Sequence, residues 1–285
     1  MSNISERGMI IEPKAGSRRP GWKLLDLDFA DDITIIESTL SELEISTNMV
    51  SKWASGTGLV INKSKTNTMK LKQAKISSSN NKIKIENQEI ETSNRFTYLG
   101  SIISEEGDLE PELNQRISKA SNVFRSQAKI WSNKGLSTKT KMKIYNSIVV
   151  SVLLYGAETW NLSETQSKRL DALGMKFQRR IMGIKWTSHT TNDEVLKRTG
   201  QTQISTMIKK RRLEWYGHVK RMSKQRIPYR ILNWNPNGTR KRGKQKQRWV
   251  DLIRKDAYEA GFIDMETFEK VALDRAKCRK LVAAQ

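Results

Sequence analysis

From Leu109 to the C-terminus, apolar residues recur at three- and four-residue spacing; before it they come in short β-branched or alternating runs broken by Gly, Asn and Asp. A chain whose period switches once from two to 3.6, and does not switch back, segregates its strands from its helices, which is the α+β class. In the second half Pro111 suits a first helical turn, and Leu113, Ile117, Ala120, Phe124, Ala128 and Trp131 form one stripe. A second helix is expected over 137–160, where IVVSVLLYG is apolar on nearly every side and fits the buried axis of a bundle. Ser163 with Gln166, and Thr191 with Glu194, have helix-capping spacing, and Gly183 and Gly200 are placed to end those helices; Leu170, Leu173, Phe177 and Ile181 point inward from the first of them. The stretch ISTMIKKRRLEWYGHVKRM (204–222) predicts a helix with a Lys/Arg side opposite Ile204, Ile208, Trp215 and Val219. Beyond Pro228, Pro236, Asn237 and Gly238 comes TRKRGKQKQR (239–248), a low-complexity arm, and then helical segments over 249–260 and 264–282.

The first half opens with a loose lead-in, residues 1–23, and is centred on LLDLDFADDITII (24–36). Two β-like runs joined without a linker at Asp31 and Asp32 predict a tight hairpin whose turn carries both carboxylates. Uncompensated carboxylates at such a tip suit hard divalent cations bound through oxygen; a solvated acidic turn is the plain alternative. Thr39 and Glu42 then open a helix with Leu40, Leu43, Thr47, Val50, Trp53 and Ala54 on one face, closed by Gly56 and Gly58. Short strands are expected at 59–62 and 66–71, a small hairpin over 82–91 around Asn87 with Ile83 and Ile85 alternating, and a strand at 95–103, RFTYLGSII.

The formal net charge of +22 favours a polyanionic partner, and its distribution is uneven: +2 over residues 1–100, +6 over 101–204, +15 over 205–255 and −1 over 256–285. Lys209, Lys210, Arg211, Arg212, Lys220, Arg221, Arg240, Lys241, Arg242, Lys244, Lys246 and Arg248 can neutralise phosphates. Trp215, Tyr216, Trp234 and Trp249 could stack on unpaired bases, or could simply pack beneath a basic helix. The sequence TRKRGKQKQR also reads as a nuclear-import signal. Cys278 is the only cysteine, so no intrachain disulfide can form, which fits a reducing intracellular compartment, nucleus or cytoplasm. His189 and His218 lack a helix-face partner, and no run approaches the ~18–20 apolar residues of a membrane span.

Taken in order, six motifs resemble the second half of the reverse transcriptase of a LINE-type, non-LTR retrotransposon, most like the RTE-like group. FADD (29–32) is similar to the [FY]-x-DD box, GLVINKSKT (58–66) to the next palm motif, FTYLGSII (96–103) to the primer grip and LLYGAETW (153–160) to the thumb. The stretch RRLEWYGHVKRM with NWNPNGTRKRGKQKQRW, and then DRAKCRKLV, resemble the post-thumb tail. The resemblance implies a small antiparallel partial palm over 24–107, an all-α thumb over 108–200 and a basic nucleic-acid-binding tail over 201–285. It implies RNA-directed DNA synthesis with two Mg²⁺ ions, an RNA template, a DNA primer at a nicked target, and dNTPs. Asp31 would be the metal ligand proper and Asp32 its supporting partner; Phe29 would lie near the primer end or serve the core. Lys65, rather than Lys63, would reach the pyrophosphate side, and Phe96, Tyr98, Leu99 and Gly100 would hold the primer. One departure stands out: the family's third carboxylate comes from an earlier palm strand, and only thirty residues precede Asp31. Asp26 and Asp28 share the hairpin's own strand and are not expected to close the site. The expectation is that this chain, a truncated enzyme, is not a competent polymerase alone; the alternative is a non-catalytic RNA/DNA-binding protein derived from a retrotransposon.

Overall fold

The computed structural model describes residues 8–12, 22–71, 82–234 and 247–283. They fall into two compact units, Met1–Asp108 with Asn233–Gly238, and Leu109–Leu232 with Thr239–Gln285. The boundary lies at the change of period, and the molecule is α+β.

In the first unit β1 (Met9–Glu12) pairs antiparallel with β2 (Trp22–Leu24), so part of the expected loose lead-in is strand. Strands β3 (Asp26–Phe29) and β4 (Asp32–Ile35) form the acidic hairpin, with Asp26 opposite Ile35, Leu27 opposite Thr34, Asp28 opposite Ile33 and Phe29 opposite Asp32. Helix α1 (Leu40–Gly56) starts at a capping box, in which the Thr39 hydroxyl accepts from the Glu42 amide at 3.2 Å and the Glu42 carboxylate accepts from the Thr39 amide at 3.1 Å. Its Trp53 is 75% exposed rather than inward. The face that α1 turns to its neighbours is partly polar instead: Asn48 donates to the Lys84 carbonyl at 2.8 Å and accepts from the Glu86 amide at 3.1 Å, and Ser51 donates to the Glu86 carboxylate.

Residues 59–62 form no strand; Leu59 and Val60 are 66% and 83% exposed, without the cross-strand partner a β-run needs. The expected strand at 66–71 shortens to β5 (Asn67–Thr68), which pairs in parallel with β8 (Glu91–Thr92). Strands β6 (Lys84–Ile85) and β7 (Gln88–Glu89) make the small hairpin anticipated around Asn87, with Glu86 and Asn87 both left-handed (φ 48° and 69°). RFTYLGSII is not one strand but two, β9 (Arg95–Tyr98) and β10 (Ser101–Ser104), because Leu99 and Gly100 reverse the chain at φ 48° and 81°. Among the described residues no sheet exceeds two strands. The core here is small, with Ile83, Ile85 and Ile90 buried beneath Leu40, Leu43 and Ile61.

The second unit is helical. Helix α2 (Glu110–Ser126) carries Pro111 in its first turn and breaks at Gln127 before α3 (Ala128–Ser132). The next helix starts as α4 (Thr138–Ile144), widens into a π-helical stretch over Tyr145–Val150 and ends as α5 (Ser151–Leu153). It stops short of Trp160 because Gly156 turns left-handed (φ 70°) and opens a single 3₁₀ turn, Ala157–Thr159. Helix α6 (Glu164–Met182) is capped by Ser163 and ended by left-handed Gly183; α7 (Asn192–Thr199) is capped by Thr191 and ended by left-handed Gly200. These elements bury Leu113, Phe124, Trp131, Tyr145, Leu153, Leu154, Trp160, Leu170 and Phe177 together.

Helix α8 (Ile204–Lys220) is the spine of this unit. Its first half adds Ile204 and Ile208 to that core. Its second half puts Leu213 and Tyr216 into another, shared with Ile253 and Ala257 of α10 (Trp249–Glu259), Phe268 and Ala272 of α11 (Met265–Leu273), and Cys278 of α12 (Arg275–Ala283); a short α9 (Ile227–Leu232) lies between α8 and α10 in sequence. Helix α8, which begins just after the expected division at residue 200, serves both cores. Gly174 lets α6 approach α8 closely, since a Cβ there would lie 2.8 Å from Ile204 Cγ1.

Candidate functional site

The acidic hairpin places its two aspartates differently. Asp31 is in the turn and Asp32 begins β4; both are exposed. Directly opposed residues point to one face and successive residues to opposite faces. The register therefore groups Asp32 with Leu27, Phe29 and Thr34, and Asp26 and Asp28 with Ile33 and Ile35 on the other side. Asp26 and Asp28 do sit together: burial, and then the charge and hydrogen bond of Asp28, push the Asp26 carboxyl above its ordinary value. They cannot join Asp32 across the pleat. Among the described residues no three or more His, Cys, Asp or Glu side chains cluster to hold a metal ion. Asp31 and Asp32 are hard oxygen donors of the type magnesium takes, but the pair alone does not make up its coordination shell. Phe29 is 62% exposed, so it does not serve the core.

Ala30, the residue before the aspartates, has φ +54°. An L-residue there carries steric strain of about 1–2 kcal/mol, and so does Leu99 at the tip of β9–β10. On that second hairpin Phe96 and Tyr98 share a face with Ser101 and Ile103, while Leu99 and Gly100 are exposed at the turn. The two hairpins are joined: the Tyr98 hydroxyl donates to the Leu27 carbonyl at 3.3 Å. Of the two lysines after α1, Lys63 is held by Glu86 at 2.9 Å, whereas Lys65 is exposed and makes no ion pair among the described residues.

The basic run on α8 is largely committed inside the protein. Arg212 is 4% exposed, its Nε donating to Asp256 Oδ2 at 2.6 Å and its Nη1 to the Trp160 carbonyl at 3.0 Å. Arg212 is therefore removed from the set of phosphate ligands. Burial raises the Asp256 carboxyl against the opposing pull of Arg212. Arg211 donates to the Leu154 carbonyl at 2.6 Å, Lys209 pairs with Glu259, and Lys210 is half-buried. The inward aromatic of this helix is Tyr216, ringed by Phe268 and Trp249, rather than Trp215, which is half-buried against His218. Trp249 donates to the Glu158 carbonyl at 2.9 Å, so it packs instead of stacking on bases. Arg248 is half-buried at the start of α10. Arg240, Lys241, Arg242, Lys244 and Lys246 lie outside the described residues.

What the run on α8 does not offer, α6 does. Lys168, Lys176 and Arg180 are exposed and, at four-residue multiples, share one face of that helix. They border a cleft of about 1530 Å³ with Arg125 of α2, Lys255 of α10 and Gln247. Nothing in the sequence marked these cations, which are scattered singly instead of gathered in a run.

Residues 123–155, from the end of α2 through α5, match a domain of unknown function (DUF6451). The chain is similar to an uncharacterized transposon-derived protein of Caenorhabditis elegans, 28% identical over 241 residues, which cover 83% of this chain and 86% of the relative. That similarity, over most of both chains, supports a transposon origin. No solved structure matches the chain. No described helix is long and apolar enough to cross a membrane, and Cys278, the sole cysteine, is buried and unbridged.

Proposed function

We propose that this chain is a portion of the RNA-directed DNA polymerase of a LINE-type retrotransposon, contributing the acidic tip, the primer-holding turn and a nucleic-acid-binding helical unit. The observation that carries the reading is the Tyr98 hydroxyl on the Leu27 carbonyl. It ties the hairpin that resembles a primer grip to the hairpin that bears Asp31 and Asp32. A polymerase needs that juxtaposition so that a primer 3′ hydroxyl meets its metal ligands in reacting geometry. Magnesium, when bound, would lower the cost of the charge developing on the transferred phosphoryl group. Asp31 and Asp32 supply part of its ligand set, and Lys65 is free to face a pyrophosphate.

On this reading the described residues supply half of a site. Asp26 and Asp28 face away, so a further carboxylate has to come from an upstream palm strand for synthesis to occur. The test is primer extension on an RNA template with Mg²⁺ and dNTPs, using the purified chain with and without a separate polypeptide supplying that palm half. Extension only in the presence of both, abolished by Asp31→Ala, is expected. Extension by the chain alone contradicts the half-site, and none with both polypeptides contradicts the polymerase reading.

A second reading, a non-catalytic RNA/DNA-binding protein derived from a retrotransposon, is favoured by where the packing lies. Both large cores belong to the helical unit, while the unit bearing Asp31 has three buried isoleucines. RNA affinity indifferent to Asp31→Ala, together with failed complementation, would select it.

A further inference from the structure

We propose that the cleft along α6 is the channel through which one strand of nucleic acid passes, with Lys168, Lys176 and Arg180 as its phosphate ligands. The inference rests on the nucleic-acid part of the reading above, not on polymerase activity. Residues 168, 172, 176 and 180 follow one another at four-residue steps on α6, all are exposed, and Ala172 leaves a gap between the charged side chains. From Lys168 to Arg180 the stripe runs about 18 Å at 1.5 Å per residue. Arg125 on α2 and Lys255 on α10 add positive charge to the other walls.

The acidic groups of the same cleft are occupied. Asp171 accepts from the Ser205 amide and hydroxyl at 2.8 and 2.7 Å at the start of α8, and Asp256 is paired with Arg212. Glu164 has only its exposed partner Lys168. Lys176 and Arg180 make no ion pair among the described residues, and neighbouring Arg179 shows the contrast, since it is spent on the Thr190 carbonyl and Asn192. Lys168 and Lys255 keep exposed partners in Glu164 and Glu259 at 2.8 and 3.9 Å, pairs that a phosphate can replace at little cost, and a concave surface with cations on three sides is an electrostatic trap for a polyanion.

Size selects the form of that polyanion. The cleft exceeds the roughly 300–1,000 Å³ of a small-molecule pocket. Spread along the ~18 Å stripe, its volume gives a section about 9 Å on a side, narrower than even the ~12 Å major groove of a duplex. A section of that scale favours a single strand over a duplex. Gln247 lines the cleft and directly follows, in sequence, the basic run that ends at Lys246.

The test is the salt dependence of binding of a fluorescent single-stranded RNA oligonucleotide to the full chain, compared with K168Q/K176Q/R180Q. A control variant, K129Q/K139Q, removes two exposed lysines that do not line the cleft. Loss of three phosphate contacts should lower the log–log salt slope by about 2 for a single strand and weaken binding at least tenfold at low salt, with the control unchanged. Thermal melting of each variant reports whether the fold is kept; because all three side chains are exposed, no shift is expected. A single-site series, K176Q and R180Q, serves as the readout if the triple variant melts early. An unchanged slope, or an equal loss on duplex DNA and on single-stranded RNA, would overturn the proposal.

Discussion

At the scale of single residues, the contiguous basic run Lys209–Arg212 suggests a solvated face, yet a helix rotates about 100° per residue, so four consecutive side chains cannot share one side. On the helix that ended up central to its unit, one of the four had to point inward. That residue is Arg212, and its burial is tolerable because Asp256, forty-four positions later, meets it at 2.6 Å. No local spacing signals such a pair. Removing one partner strands a buried charge, so Asp256→Ala should cost about 3–5 kcal/mol in urea unfolding, whereas R212M/D256L should recover to within about 1 kcal/mol of the parent. A loss below about 1 kcal/mol for the single variant would mean that the pair is not buried as described. Glu269 gives a prediction in pH. Burial pushes its carboxyl up, but hydrogen bonds from Tyr216 and Lys220 outweigh that and hold it below its ordinary 4.5. Its stabilisation is therefore present above pH 4.5 and fades as the pH falls through the lowered value. The acid-side fall in Tm should flatten in Glu269→Gln. Asp256 acts with the opposite sign, favouring folding less as pH rises through the range above its ordinary 3.8.

At the scale of elements, helix ends were legible because capping chemistry is local: Thr39, Ser163, Thr191, Gly183 and Gly200 all act as their spacing implies. Strand pairing was less legible because its stabilisation comes from partners distant in sequence. Thus 59–62 reads as strand and is not one, and RFTYLGSII hides a turn at Leu99 and Gly100. That turn has both central residues at positive φ, which favours Asn-Gly over Leu-Gly. Leu99→Asn should relieve about 1 kcal/mol of strain and raise amide-exchange protection across β9–β10. If the same variant weakens primer binding, the strained leucine serves the primer rather than the fold. Gly174 was invisible for a different reason: a mid-helix glycine says nothing about which helix comes near. With Ile204 Cγ1 in the way, Gly174→Ala should destabilise by about 1–3 kcal/mol in chemical denaturation, despite alanine's better helix propensity. A gain in stability would show that α6 and α8 can separate at no cost.

At the scale of the whole molecule, the switch in period at Leu109 foretold the α+β class, because hydrophobic periodicity is dictated by the element that buries it. The acidic pair was legible as a hairpin tip, but the facing of its neighbours was not, since register decides it. The register is what gives the account its sharpest consequence. With Asp32 on one face and Asp26 and Asp28 on the other, the proposed reaction would draw on the FADD carboxylates and not on Asp26 or Asp28. The measurement that tests this most directly is the extension rate of the chain complemented by an upstream palm half, compared among Asp31→Ala, Asp32→Ala and Asp28→Ala. If Asp31 and Asp32 hold the metal as proposed, losing either removes several kcal/mol of charge stabilisation, so Asp31→Ala and Asp32→Ala should slow extension by about a hundredfold or more, and Asp28→Ala by no more than about threefold. Equal losses in all three variants, or activity that survives Asp31→Ala, would contradict the account.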